Sequence, residues 1–383
     1  MGMYLDYNAS TPVDPRVLDV MVDVYRNHFG NASSRTHKFG LDANKIVEQA
    51  REYVSSLLGV QRNEVIFTSG STESNNMVIL GLEGKGRETG RMHIITTAME
   101  HKSVLEPCKI LEKRGFEVEY LKPGEDGRVR VEDIQNRLRE DTLLVSVMHV
   151  NNETGTVQPV KEIGEFLKDS PVLFHTDASQ SCGKMAEEIQ KIPFDFLSAA
   201  AHKMGGPQGV GVLVARNKNN SEKYCGLKAI MYGGGQEQEM RPGTLPVALI
   251  AGMGKAAELA WKERKEIREG CLDNFNTFLR ILKESGVRYW INGAPEYSSG
   301  SCLNVSFENF DSEALMIEIQ DMFGTAISNG SACTSGSYKA SYVLEAMGLD
   351  RKRSESAVRI SWGREKIDEE IFRNITEIVK GWQ

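Results

Sequence analysis

The sequence has no Cys-x-x-Cys pair, no G-x-G-x-x-G loop and no apolar run near the ~20 residues that a membrane-spanning helix needs. The first absence excludes a zinc ribbon and a thioredoxin-type redox pair. The second removes the fingerprint of a nicotinamide site, because Gly233-Gly234-Gly235 lacks the required spacing. Positive charge is not in excess either: 46 Lys+Arg against 53 Asp+Glu leave a net charge of −7, which favours solubility and disfavours direct binding of nucleic acid or an anionic membrane. The start, Met1-Gly2-Met3-Tyr4-Leu5-Asp6, carries neither a signal-peptide core nor the hydroxyl of a myristoylation site. Six cysteines in 383 residues are too sparse for a disulfide framework and read as reduced thiols. The expectation is a cytoplasmic globular protein of two to three domains.

Short apolar runs alternate with helical patterns over most of the first 250 residues, the pattern of a mostly parallel sheet with helices on both faces. The spacing predicts strands at 65–68, 93–96, 143–148, 172–176, 194–198 and 209–214, with helices at 72–82, 103–114 and 160–168 between them. A charged stretch, 256–284, places Lys262/Glu266 and Lys265/Glu269 four apart and reads as one solvated helix leading into a second domain. A strand at 302–307, a helix at 312–322 and a closing helix at 368–380 follow.

In open α/β sheets ligands gather beyond the carboxyl ends of the strands. Here the first strand is followed by Ser69-Gly70-Ser71-Thr72-Glu73-Ser74, a tight turn into a helix N-terminus that suits a phosphate. The next strand ends lead into Glu100-His101, His149-Val150-Asn151-Asn152-Glu153, Asp177-Ala178-Ser179-Gln180 and His202-Lys203. Each has a plain alternative: an N-cap, a core histidine, a turn asparagine, a surface lysine. Five consecutive strand ends of this kind are harder to dismiss, and their types complement one another. A phosphate cup, an imidazole that stacks on a flat ring, an amide, a carboxylate and a lysine are what a pyridoxal phosphate site requires. Asp177 precedes Lys203 by about one strand-helix-strand unit, so both can face one crevice.

Near the C-terminus, Ile327-Ser328-Asn329-Gly330-Ser331-Ala332-Cys333-Thr334-Ser335-Gly336-Ser337-Tyr338 is small and polar with few apolar anchors, and reads as a surface loop presenting a thiol. Cys182, Cys225, Cys271 and Cys302 read instead as buried small hydrophobes. Val358-Arg359-Ile360-Ser361 puts an arginine in a strand-like run, suited to a two-point grip on a carboxylate or to a structural ion pair.

Seven stretches together, Tyr4 to Thr11, Ser69 to Asn76, Glu100 to Lys102, His149 to Gly155, His175 to Gln180, Gly233 to Glu237 and Gly330 to Ser335, resemble the cysteine desulfurase family in its NifS/IscS branch. The resemblance is colinear from residue 4 to about residue 380. It implies the α/β transferase fold known as pyridoxal phosphate fold type I, with a large cofactor domain at 15–255. Residues 1–14 and 256–383 then form a small domain carrying a catalytic loop at about 326–341.

By resemblance Lys203 carries the cofactor covalently, Asp177 pairs with its pyridine nitrogen and His101 stacks on its ring. Gln180 and Asn152 contact the ring oxygen and the substrate side, while Ser71, Thr72 and His202 hold the phosphate. Thr244 reaches the phosphate of the other copy in a homodimer, Arg359 binds the carboxylate of L-cysteine, and Cys333 is the nucleophile that becomes a persulfide, deprotonated with help from His101. The implied partners are L-cysteine and a sulfur-acceptor protein, such as an iron–sulfur scaffold or a thiolation protein. No resident metal is expected, although Cys333 is a candidate transient cluster ligand. Three features depart from the family pattern. Ala200 stands where a serine is usual, Pro242 replaces the serine before Gly243-Thr244, and the chain ends at Gln383 without the longer extension that docks a scaffold. The alternatives within the fold are a selenocysteine lyase, an aminotransferase or a non-catalytic scaffold.

Overall fold

The computed structural model describes residues 2–216, 223–329 and 341–383. The centre of the loop predicted to present Cys333 lies outside the described residues.

Two helices, α1 (Pro15–Asn27) and α2 (Lys38–Leu58), precede a seven-stranded sheet. Its strands are β1 (Val65–Thr68), β2 (His93–Thr97), β3 (Glu117–Leu121), β4 (Thr142–Ser146), β5 (Leu173–Asp177), β6 (Phe196–Ala200) and β7 (Gly211–Ala215), in the order β1-β7-β6-β5-β4-β2-β3. Only β7 runs antiparallel to its neighbours. The carboxyl ends of the other six strands therefore share one edge. Helices α3 (Ser71–Gly81), α4 (Glu83–Thr89), α5 (Lys102–Lys113), α6 (Val131–Gln135), α7 (Val160–Leu167) and α8 (Ala186–Ile189) connect the strands.

The strands alternate between two cores. Val65, Phe67, Val145, Phe174 and Val212 join one cluster with α2, while Ile66, Leu144, Leu173 and Leu213 join the other with α3 and α5. Both faces being covered explains why these strands read as continuous apolar runs.

The chain then enters α9 (Val247–Lys262) and α10 (Arg264–Ser285). The single solvated helix expected at 256–284 is thus two helices, broken at Glu263, whose carboxylate takes Arg16 at 2.5 Å and also meets Arg364. The break separates Lys262 from Glu266, and Lys262 pairs backwards with Glu258 at 2.5 Å. The division expected at 255/256 falls inside α9, which packs on α1 and α2, and we propose Glu263 as the boundary instead.

Beyond it, β8 (Tyr289–Ile291), β9 (Cys302–Phe307) and β10 (Ala357–Ser361) form an antiparallel sheet in the order β10-β9-β8. Helices α10, α11 (Ser312–Phe323) and α14 (Glu369–Trp382) pack with it around Phe278, Phe307, Trp362 and Phe372, and the short α12 (Tyr342–Ala346) and α13 (Arg351–Glu355) lead into β10. The N-terminal segment belongs to this lobe: Leu5 is in its core, its N–H donates to the Ala326 carbonyl at 2.8 Å, and its carbonyl accepts from Ser361 N–H at 2.9 Å. No helix among the described residues is long and apolar enough to cross a membrane.

Candidate active site

At the shared strand edge lies a cavity of about 510 Å³. Ser71, Thr72, His101, Asn152, Asp177, Gln180, His202, Lys203 and Arg359 all line it. A larger cleft, about 1020 Å³, opens beside Arg51 and Gly235–Gln238 and is lined by none of them.

The turn after β1 starts the site. Gly70 sits at φ 156° and ψ 174°, a glycine conformation, and a Cβ on Gly211 of β7 would come within 2.5 Å of its Cα. Two glycines therefore let the turn lie flat on the neighbouring strand. Gly70 also leaves α3 without a side-chain cap, so the first amides of that helix face the cavity with the hydroxyls of Ser71 and Thr72.

Asp177 ends β5 and is buried. Its Oδ2 accepts from Asn75 Nδ2 at 2.7 Å, and its Oδ1 accepts from Ser179 N–H at 2.9 Å and from the Ser179 hydroxyl. Beyond β6, one 3₁₀ turn (Ala201–Lys203) swings Lys203 into the cavity, where Nζ donates to the carbonyls of Asn8 and of Ala9, the latter at 2.8 Å. His202 beside it is held neutral, with burial and the Lys203 charge pushing its pKa down to about 4.

His101 caps α5: its Nδ1 accepts from Ser103 N–H at 3.2 Å and lies 2.8 Å from Ser103 Oγ. Burial lowers its pKa; Asp177 opposes that shift, while Lys203 and Lys102 add to it. Asn152 follows β4, and its Oδ1 is buried without a hydrogen-bond partner, as is Gln180 Oε1. Gln180 Nε2 donates to the Asn8 carbonyl at 2.9 Å.

The small lobe contributes Arg359 from β10. Its guanidinium meets Asp6 at 2.5 Å and the Asn152 carbonyl at 3.2 Å, with Nε left unpartnered. Thr244 is exposed and does not line this cavity. Cys333 lies outside the described residues. The cysteines read as inert, Cys182, Cys225, Cys271 and Cys302, are buried free thiols, as is Cys108.

Sequence reasoning passed over Asn75, Ser103, Asn8 and Asp6 as working residues. Asp6, Asn8 and Asn75 stand inside stretches that carry the resemblance, but Arg359 and Lys203, the partners of Asp6 and Asn8, are 353 and 195 positions away in the chain.

Comparison with known proteins bears on the same site. Residues 3–373 match the family model for class-V aminotransferases. The chain is 42% identical over 385 residues to the cysteine desulfurase IscS of Pasteurella multocida, covering 99% of this chain and 92% of the relative. Its fold is similar to that of a solved NifS-like protein (TM-score 0.89, 35% identity, all of both chains). It is also similar to SspA solved in complex with cysteine (TM-score 0.82, 35% identity, 95% of this chain and all of the other). With the fold, the strand-end residues and the full-length likeness in agreement, the chain belongs to the class-V aminotransferase family and, within it, to the cysteine desulfurases of the NifS/IscS branch.

Proposed function

We propose that this chain is a pyridoxal phosphate-dependent cysteine desulfurase that turns L-cysteine into L-alanine, holds the sulfur on Cys333 as a persulfide and passes it to an acceptor protein for iron–sulfur cluster assembly or another thio-modification. One observation carries the reading. A lysine, a carboxylate, an imidazole and an arginine from four separate elements meet around one cavity beneath an uncapped helix N-terminus.

The donor set suits the cofactor. The open amides of α3, with Ser71, Thr72 and His202, make an anion site for its phosphate. Asp177, an acceptor-only carboxylate, is suited to a protonated pyridine nitrogen, and His101 to the ring face. Asn152 Oδ1 and Gln180 Oε1 are acceptors that each cost ~1–3 kcal/mol while unpaired, and a hydroxyl or amine hydrogen of the cofactor or substrate would supply the donor they lack. When bound, pyridoxal phosphate supplies an electron sink for the pair released at the substrate's α-carbon.

The protein's own groups do the remainder. Arg359 grips the α-carboxylate with the capacity that Asp6 and Asn152 leave on its guanidinium. Lys203 takes the proton from the α-carbon and later returns one. The Cys333 thiolate attacks the substrate sulfur: the S–S bond forms as the carbon–sulfur bond breaks, and the electron pair left on carbon is protonated to give the methyl group of alanine.

The working unit in this reading is a homodimer, with Thr244 of each copy reaching the phosphate end of the other; its exposure, and its place outside its own cavity's lining, support that role. Free thiols at all five described cysteines support a reducing, cytoplasmic setting. Adding L-cysteine to the loaded enzyme should shift its visible band and yield alanine and protein-bound sulfur in equal amounts. A Cys333→Ser variant releasing alanine at the wild-type rate would overturn the reading.

A further inference from the structure

We propose that Ser103 and Asn75 are positioning residues that fix the proton of His101 on Nε2, so that the ring enters the reaction as a hydrogen-bond donor and not as a base. This deepens the desulfurase reading and rests on it.

The assignment follows from counting donors. The Asp177 carboxylate accepts at both oxygens, so the Asn75 amide turns Nδ2 toward it, at 2.7 Å. The second hydrogen of the same Nδ2 goes to Ser103 Oγ at 2.8 Å. Asn75 Oδ1 is left buried with no partner, so the orientation is set by the two acceptors and not by the comfort of the amide oxygen. Having accepted from Asn75, the Ser103 hydroxyl directs its own proton to His101 Nδ1, at 2.8 Å. The Ser103 backbone N–H, which has no other polarity to offer, also points at Nδ1, at 3.2 Å. Two donors converging on one ring nitrogen require it to carry a lone pair, which leaves the proton of the neutral ring on Nε2, on the opposite side of the ring.

The imidazolium would need a proton on Nδ1 and would have to turn both donors away. The charged groups facing the ring divide: Asp177 favours the cation, Lys203 and Lys102 disfavour it, and burial disfavours it most. A base acting from Nε2 would first have to lose the proton held there. The ring therefore donates from Nε2–H toward the cavity, and the Cys333 thiol loses its proton elsewhere.

The test is a long-range ¹H–¹⁵N correlation spectrum of the protein with ¹⁵N-labelled histidine, ligand-free and cofactor-loaded, with His101 assigned by its loss in His101→Gln. We expect the Nε2–H tautomer from pH 6 to 8 in wild type. Ser103→Ala, lacking one donor to Nδ1, should raise the pKa of His101, move the acid limb of the kcat/KM profile to higher pH, and lower kcat at pH 7 by about 2- to 12-fold, the worth of one hydrogen bond. Ser103→Thr should restore all three. A proton on Nδ1 in wild type, or a Ser103→Ala spectrum and pH profile identical to wild type, would overturn the inference. Because the tautomer is read without turnover, a wild type unable to convert L-cysteine would defeat the desulfurase reading separately.

Discussion

Arg359 is almost wholly buried, and its charge is already matched by Asp6 at 2.5 Å. A lysine there keeps a cation for Asp6 but loses the planar two-point grip. Arg359→Lys should therefore raise KM for L-cysteine by about 10- to 150-fold, the equivalent of one charge-assisted hydrogen bond, with far-ultraviolet circular dichroism unchanged; an unchanged KM would show that another group binds the carboxylate. At the end of β6, Ala200 supplies no hydroxyl to the anion site. Ala200→Ser should lower the cofactor Kd by about 10- to 150-fold on the same scale, and equal constants would mean that Ser71 and Thr72 already satisfy the phosphate. Asp177 and Lys203 stand out in the sequence only as members of a series of polar strand ends, and Arg359 only as either a carboxylate grip or an ion pair, so their roles come from the family resemblance. Asn75 and Ser103 were not legible: a helical asparagine and an N-terminal-turn serine look like ordinary surface residues until α3, α5 and β5 bring them together around His101.

Among the elements, the buried strands β1, β4, β5, β6 and β7 were legible from apolar runs, within a residue or two at their ends. Strand β3 was missed because it is an edge strand with Glu117 and Glu119 on its outer positions, and β8 because it has three residues. The helix break at Glu263 was hidden by charges spaced as in one continuous helix, whereas its cause is tertiary: Arg16 of α1 and Arg364, after β10, converge on one carboxylate. Hydrogen bonding to Arg16, against some burial, and to Arg364 lowers the pKa of Glu263 from 4.5 to about 2. A depressed carboxylate stabilises the fold above its unfolded pKa and loses that contribution as pH falls toward the folded value. Glu263→Gln should accordingly lower Tm at pH 7, by a modest amount because the group is partly solvated, and the difference from wild type should shrink as pH falls from about 4.5 toward about 2. A pH-independent difference would place the effect of Glu263 in packing.

At the scale of the molecule, the site sits where the two lobes meet. Lys203, Asp177 and His101 come from the large sheet, while Arg359 and the N-terminal segment bearing Asp6 and Asn8 come from the small lobe. The alternation of apolar runs with helical patterns foretold an α/β sheet, whereas placing residues 1–14 with the small lobe came only from the family resemblance, because the bridge that ties them there joins Asp6 to Ser361. In the proposed homodimer Thr244 serves the neighbouring copy's site. Lys203→Ala and Thr244→Ala chains, each defective alone, should recover one functional site when refolded together as mixed dimers, and failure to complement would place Thr244 outside the neighbouring site.

In the proposed reaction sulfur leaves L-cysteine onto Cys333. Mass spectrometry of the alkylated protein after a single turnover with ³⁴S-labelled L-cysteine reads that transfer. One added sulfur per chain should appear on the Cys333 peptide, matched by one alanine, and be absent in Cys333→Ser and Lys203→Ala. Alanine formed at the wild-type rate with no sulfur retained on Cys333 would contradict it.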